Sequence, residues 1–327
     1  MKNNKYGGLL PILMGFLGLM AFLYFISYIF TNSNVKNNVV KAAYVPAGYY
    51  LPFLIVEKEG LLEKRGYSFQ LTKLEKNTHM ISNFINGKLD VTAQSAFTMF
   101  PVEERHPGNF KFIYGQNNQS YFFLTKNKKI RKLSDFRHKN LTIGTWTSPT
   151  AVAFIKILLQ KEGLEFEKDY NIRQYGAYEL ASKLDNGTSE VIFAFDMPAV
   201  NLVENKGAHY IDKNIIKSLG GNDGKIFNGG GFIHSKLILN DPQKAQAIKE
   251  AFNEALHIIN HKKELSSKIL SNSLSLQKEM IFNNYDKLDS FYIPNKSTLE
   301  IEQSLIKLLL DNNLMNKKID VKHMFLY

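Results

Sequence analysis

From Val39 onward the chain alternates short apolar runs with stretches of helical apolar spacing, and this order leaves few folds open. Strand–helix–strand units put neighbouring strands into one sheet with helices on its faces. Val39–Val45 reads as a strand. Tyr50–Lys64 has helical spacing at Phe53, Leu54, Val56 and Leu61, with Pro52 in the first turn. Tyr67–Leu74 alternates as a strand, Thr78–Asn86 is a helix closed by Gly87, and Leu89–Ala93 is a short buried strand. Ser95 is placed to cap a further helix toward Glu104, and Phe110–Tyr114 and Tyr121–Thr125 are strands.

The pattern pauses near Asn117–Ser120 and begins again. Strands at Leu141–Gly144, Tyr170–Tyr175 and Val191–Ala194 alternate with helices at Thr150–Lys161, Ala177–Leu184 and Pro198–Asn205. A Gly-rich stretch, Gly220–Gly231, leads into a strand at Gly231–His234. After it only helical patterns follow: Pro242–Asn260, Leu265–Ser271, Gln277–Asn284 and Thr298–Asn312. Two such series, with late helices that lack a sheet of their own, predict two lobes and two crossings between them. The crossings are expected near Gln116–Ser120 and Asn228–Ile233, where Gly and Asn suit a hinge. Lobe 1 is then 37–118 with 228–327, and lobe 2 is 119–227.

The residues before this alternation make a different demand. Gly7–Phe30 is 24 residues without a charge. As a helix it would span about 36 Å, against roughly 30 Å of bilayer hydrocarbon. Lys2 and Lys5 precede it, so the positive-inside rule puts the N-terminus in the cytoplasm and the bulk outside, on a single-pass anchor. A cleaved signal peptide is the competing reading, but the apolar run is long for one and Tyr28, Ile29 and Phe30 make a poor cleavage site. Thr31–Asn38 would act as a spacer reaching at most about 28 Å. Residues 1–36 are therefore read as cytoplasmic stub, anchor and spacer.

Charge and composition narrow the chemistry. The net charge is +11, of which +8 remains once Lys2, Lys5 and Lys36 are set aside. Its basic residues lie scattered among acids, with short clusters such as Lys126–Lys132, which reads as a solvated surface and not a nucleic-acid stripe. Cysteine is absent, so disulfides, thiolate metal sites, a Cys nucleophile and a lipidated cysteine are excluded.

An ordered set of motifs between Lys41 and Phe291 carries a resemblance. Tyr49-Tyr50-Leu51-Pro52-Phe53 precedes Glu59-Gly60-Leu61-Leu62-Glu63 and Gly66. Asn86-Gly87-Lys88-Leu89-Asp90-Val91 runs into Gln94-Ser95, and Lys132-Leu133-Ser134-Asp135-Phe136 precedes the Leu141 strand. Thr147-Ser148-Pro149-Thr150 opens a helix, and Phe195-Asp196-Met197-Pro198 precedes another that ends at Lys206-Gly207. The chain resembles the solute-binding proteins for aliphatic sulfonates, taurine and nitrate, a family that includes binders of thiamine-pyrimidine precursors. The resemblance implies an α/β fold, a two-lobed periplasmic-binding-protein (type II) clamp with mostly parallel sheets, here plus one N-terminal transmembrane helix. It implies capture of a small anionic or polar organic solute and docking on an ABC permease and its ATPase, with no enzymatic step and no cofactor. Asp196-Met197-Pro198 departs from the Glu or Trp often found beside that proline, which weakens transfer of solute identity.

Ligands of open α/β sheets bind beyond the carboxyl ends of strands, where helix N-termini offer free N–H groups. The turns at those ends supply the candidate ligand-binding residues Tyr49, Tyr50, Gln94, Ser95, Asn118, Thr147, Ser148, Thr150 and Asp196. Helix capping alone also accounts for Ser95, Ser148, Thr150 and Asp196. Trp146, the only tryptophan, suits a core position or a cleft wall equally.

Other chemistries fit less well. A pyrimidine-synthase relative, as the resemblance implies it, needs a Cys-rich iron-binding segment. Gly220–Gly224 with Lys225 imitates a phosphate loop, but Ile226 stands where Ser or Thr is required. His257 and His261 are helix-spaced for a metal, without an evident third ligand. A sensory ectodomain with the same clamp would need an output partner, since only six residues precede the apolar segment.

Overall fold

The computed structural model describes residue 20 and residues 38–74, 78–118, 121–176, 179–212, 226–295 and 298–326. Among these no helix is long and apolar enough to cross a membrane. The Gly7–Phe30 segment lies outside the described residues. Val39–Tyr327 makes one unit that holds two separate sheets.

The first sheet comprises β1 (Val39–Tyr44), β2 (Ser68–Lys73), β3 (Val91–Ser95), β4 (Phe110–Asn118), β10 (Ile226–His234) and β11 (Ser290–Tyr292), in the order β11-β4-β10-β3-β1-β2. The second comprises β5 (Tyr121–Thr125), β6 (Leu141–Trp146), β7 (Tyr170–Tyr175), β8 (Val191–Phe195) and β9 (His209–Asp212), in the order β7-β6-β8-β5-β9. Each has a parallel half built from strand–helix–strand units, β2-β1-β3 and β7-β6-β8. Each also has an antiparallel half: β10 pairs antiparallel with β3 and β4, and β5 with β8 and β9.

The expectation of mostly parallel sheets is thus corrected to mixed sheets. The strands that run against the parallel set are β10 and β11 in the first sheet and β5 in the second. An apolar run specifies a buried strand but not its direction, so Phe110–Tyr114, Tyr121–Thr125 and Gly231–His234 were read as strands without their antiparallel pairing.

Two strands also escaped the reading. Both β9 and β11 are short: β9 is an edge strand of four residues, and β11 an edge strand of three within the segment read as wholly helical. Asn228–Ile233, read as a crossing, lies inside β10 in the first sheet. The chain leaves the second sheet after Asp212 and is back in the first at Ile226.

Close strand approach explains the glycines of β10. A Cβ on Gly229 would collide with the Gln94 carbonyl, one on Gly230 with the Tyr114 carbonyl, and one on Gly231 with the Tyr114 ring. A bulge between Phe227 and Gly229 sets Asn228 out of the ladder.

Helices cover both faces of the first sheet. On one face Phe53 of the Leu51–Lys58 helix meets Phe252 of the Pro242–His261 helix at 4.8 Å between ring centroids, and Tyr114 of β4 packs beside Phe252. On the other face Phe100 stacks on Phe227, and Leu305, Ile306 and Leu309 of the Leu299–Asp311 helix join the same cluster. The second sheet packs the Pro149–Lys161 helix on one face and the Leu180–Asp185 and Asp196–Lys206 helices on the other.

A candidate ligand cleft between the sheets

The carboxyl ends of the parallel strands of the two sheets meet, because the chain places a turn or helix start directly after each. β1 runs into a 3-10 turn at Gly48–Tyr50, β3 into the Ala96–Arg105 helix, β6 into the Pro149–Lys161 helix and β8 into the Asp196–Lys206 helix. The first two belong to the first sheet and the last two to the second.

Among the described residues, several contacts join the two sheets here. The Gly48 N–H donates to the Asp196 carboxylate. Tyr49 and Phe195 rings approach to 6.4 Å between centroids, and Phe97 and Phe154 to 4.0 Å. The Tyr121 hydroxyl donates to Asn228 Oδ1 at 2.8 Å. Met197 and Val200, which follow β8, belong to the same apolar cluster as Tyr50 and Leu51.

Asp196 opens its helix in a left-handed conformation, with φ of 63°, and is 2 % exposed. Burial lifts its carboxyl to about 6, opposed by the N–H groups of Met197 and Gly48. Its approach to the Gly48 backbone requires glycine there, since a Cβ would collide with the carboxylate.

On the first sheet Tyr50 is fully buried, and its hydroxyl lies 3.2 Å from the Ala93 carbonyl and 3.1 Å from the Tyr49 hydroxyl. Burial holds both phenols well above their usual range. Asp196 and Asp289 raise Tyr49 further, so this phenol feels both carboxylates. Gln116 donates its side-chain amide to Asp289.

The residues singled out from sequence divide by what holds them. Gln94 is buried on β3, its amide 3.4 Å from the Thr92 hydroxyl. Ser95 lies at the N-cap, yet its hydroxyl is buried without a hydrogen-bond partner. Ser148 is a true cap and accepts from Ala151 N–H at 3.4 Å. Thr147 is exposed and its hydroxyl bonds the Tyr175 carbonyl at 3.1 Å. Thr150 lies in the first turn of its helix, and Asn118 ends β4 opposite Ile226.

Sequence reasoning did not select Tyr121, Gln116, Asn117, Asn228 or Asp289. Asn117 Oδ1 is buried without a partner, as are Asp196 Oδ1 and Thr145 Oγ1. The signal available for Asn117 was its place at the pause, one residue before the one selected. Trp146 is half-buried and forms a wall with Phe195, 4.5 Å away, and with Phe193 and Tyr121 stacked parallel to it.

Comparisons with known proteins agree on the fold. Residues 49–262 match the family described as NMT1/THI5 like. No curated protein matches the sequence. The periplasmic aliphatic sulphonate binding protein SsuA from Escherichia coli superposes with a TM-score of 0.69 at 14% identity, covering 88% of this chain and 97% of that one. The periplasmic nitrate-binding protein NrtA from Synechocystis PCC 6803 gives 0.69 at 13%, covering 88% and 84%. The desulfurization enzyme DSZB gives 0.65 at 12%, covering 88% and 96%. The fold is the two-lobed α/β fold of periplasmic binding proteins, with the first sheet in one lobe and the second in the other.

Proposed function

Because the chain belongs to the NMT1/THI5-like family, we propose that it is the substrate-binding component of an ABC importer. It captures a small polar organic solute between its lobes and presents the closed form to a permease and its ATPase. The observation that carries this reading is the cleft itself. Strand-end turns from two sheets meet there, with Gly48 bonded to Asp196 and Tyr121 to Asn228, and buried polar atoms lie at the same ends. A site assembled from two lobes is made by closure and unmade by opening, which is what capture and release require.

The sulphonate and nitrate named for the structural neighbours are the first solute classes to test. No reaction is assigned. One neighbour is an enzyme, but this chain contains no cysteine, which removes thiol chemistry and the iron-binding segment that a pyrimidine synthase would need. The uncharged Gly7–Phe30 segment supports tethering to the cytoplasmic membrane with the clamp on its outer side. A mature N-terminus beginning near residue 31 would overturn the tether and leave the clamp untouched.

Thermal unfolding of the full chain against panels of sulfonates, inorganic oxyanions, amines and pyrimidines tests the binding role. A ligand at 100 times its dissociation constant adds about 2.7 kcal/mol, a shift of several degrees for a domain of this size. No shift with any panel, from a folded monomeric sample, overturns the reading.

A further inference from the structure

The cleft edge is poor in one kind of residue. Val45–Tyr50, Gln94–Phe97, Gln116–Asn118, Thr145–Ser148, Phe195–Met197 and Phe227–Gly230 contain no Lys, Arg or His. They do contain a carboxylate, and Asp289 adds a second beside Gln116. Among the described residues no basic side chain lies within ion-pair distance of Asp196.

A second observation concerns unmet hydrogen bonds. Asp196 Oδ1 and Asn117 Oδ1 are buried acceptors without donors, on residues 2 % and 6 % exposed. Buried acceptors of this kind are normally satisfied, and a nitrate or sulfonate group itself brings no proton to satisfy them. The helix N-termini that would attract an anion are partly engaged as well. Asp196 sits at the start of one, and Ser148 caps another.

Resting on the binding role proposed above, we infer that the solute presents a positively charged, N–H-rich head, an organic ammonium or amidinium, to the Asp196 carboxylate. Asn117 accepts a further N–H, and the Trp146–Phe195 wall takes the apolar body. Burial penalises the bare carboxylate of Asp196, and an arriving cation offsets that penalty, so charge complementarity is gained where it is missing.

The test uses the full chain with two probes that share a phenyl ring and differ in head charge, benzamidine and benzenesulfonate, in calorimetric titrations at pH 8. Benzamidine is expected to bind the more tightly, and Asp196→Asn to weaken it at least tenfold. Asn keeps an acceptor for the Gly48 N–H and tolerates the left-handed backbone, so the variant's own unfolding temperature verifies that it folds. Tighter binding of benzenesulfonate, or equal benzamidine affinity in Asp196→Asn, overturns the inference and leaves the binding role standing. Failure of both probes to bind also overturns it, and the wider solute panel then decides the binding role separately.

Discussion

The two lobes bring different chemistry to the cleft. The first sheet supplies amides and hydroxyls: Gln94, Ser95, Gln116, Asn117 and the phenol of Tyr49. The second supplies flat apolar rings, Trp146, Phe195 and Tyr121, and one buried carboxylate, Asp196. Hydrogen-bonding groups discriminate by direction, whereas rings hold area and tolerate shape. Under the proposed binding role the contrast would divide the work, with one lobe reading polar pattern and the other holding the body and the charge. It extends to backbone packing. In the first sheet three consecutive glycines let β10 lie hard against β3 and β4, while the second sheet has one comparable glycine, Gly144, beside the Ser189 and Tyr175 side chains.

The largest effect should come from that backbone difference. A Cβ at position 230 meets the Tyr114 carbonyl, an atom of the ladder that cannot swing aside. Gly230→Ala is expected to cost about 3 kcal/mol or more. Gly144→Ala meets Ser189 Oγ at 2.8 Å, Tyr175 Cε2 at 3.1 Å and Ser189 Cβ at 3.2 Å, side-chain atoms and none of the ladder backbone. It should cost about 1 kcal/mol. Urea unfolding of both variants measures the pair, and equal losses would erase the distinction between the sheets.

The buried carboxylate comes next. Burial pushes the Asp196 carboxyl up to about 6, against 3.8 for an unburied carboxyl. Below the lower value both states are protonated and the group contributes nothing. As pH rises between the two values the folded state holds a proton the unfolded state has lost, so stability falls, and above about 6 the full cost is present. Asp196→Asn removes it. The variant should gain up to about 3 kcal/mol over the parent at pH 8 and nothing at pH 3. A constant difference across that range would mean that burial is not what sets this carboxyl.

Contact between the lobes can be sharpened through Phe97 and Phe154, one from each lobe, with rings 4.0 Å apart. A double-mutant cycle with leucine at both positions should give a coupling of about 1 kcal/mol. A vanishing coupling would show that the lobes open there in solution.

How much of this was legible follows from what a pattern can encode. The parallel halves were read from Val39–Val45, Tyr170–Tyr175 and Val191–Ala194, whose apolar runs are flanked by amphipathic helices with glycine just beyond their ends. Phe110–Tyr114, Tyr121–Thr125 and Gly231–His234 were read as strands too, but not their antiparallel pairing, because strand direction leaves no mark on periodicity. The strand at His209–Asp212 and that at Ser290–Tyr292 are too short to show an alternation. At the candidate site, turns after parallel strands were found by position, which placed Ser95 and Asp196 where the structure has them, at the starts of helices after β3 and β8. Tyr121, Asn228 and Asp289 reach the cleft on antiparallel strands or a late loop, and only tertiary pairing brings them there.

The smallest effect bears most directly on the division between lobes. Ser95 and Ser148 occupy matching places, each the last residue before a helix that follows a parallel strand. Capping explains one of them. Ser148 accepts from Ala151 N–H, so Ser148→Ala should cost about 1 kcal/mol. The Ser95 hydroxyl is buried with no partner, so its removal takes away no bond and relieves a desolvated group. Ser95→Ala should leave stability unchanged or raise it by a few tenths of a kcal/mol. If the first lobe does read polar pattern, the same substitution weakens solute binding while Ser148→Ala does not. Loss of stability at Ser95 with no change in affinity would assign it to capping after all and strip the first lobe of a recognition group.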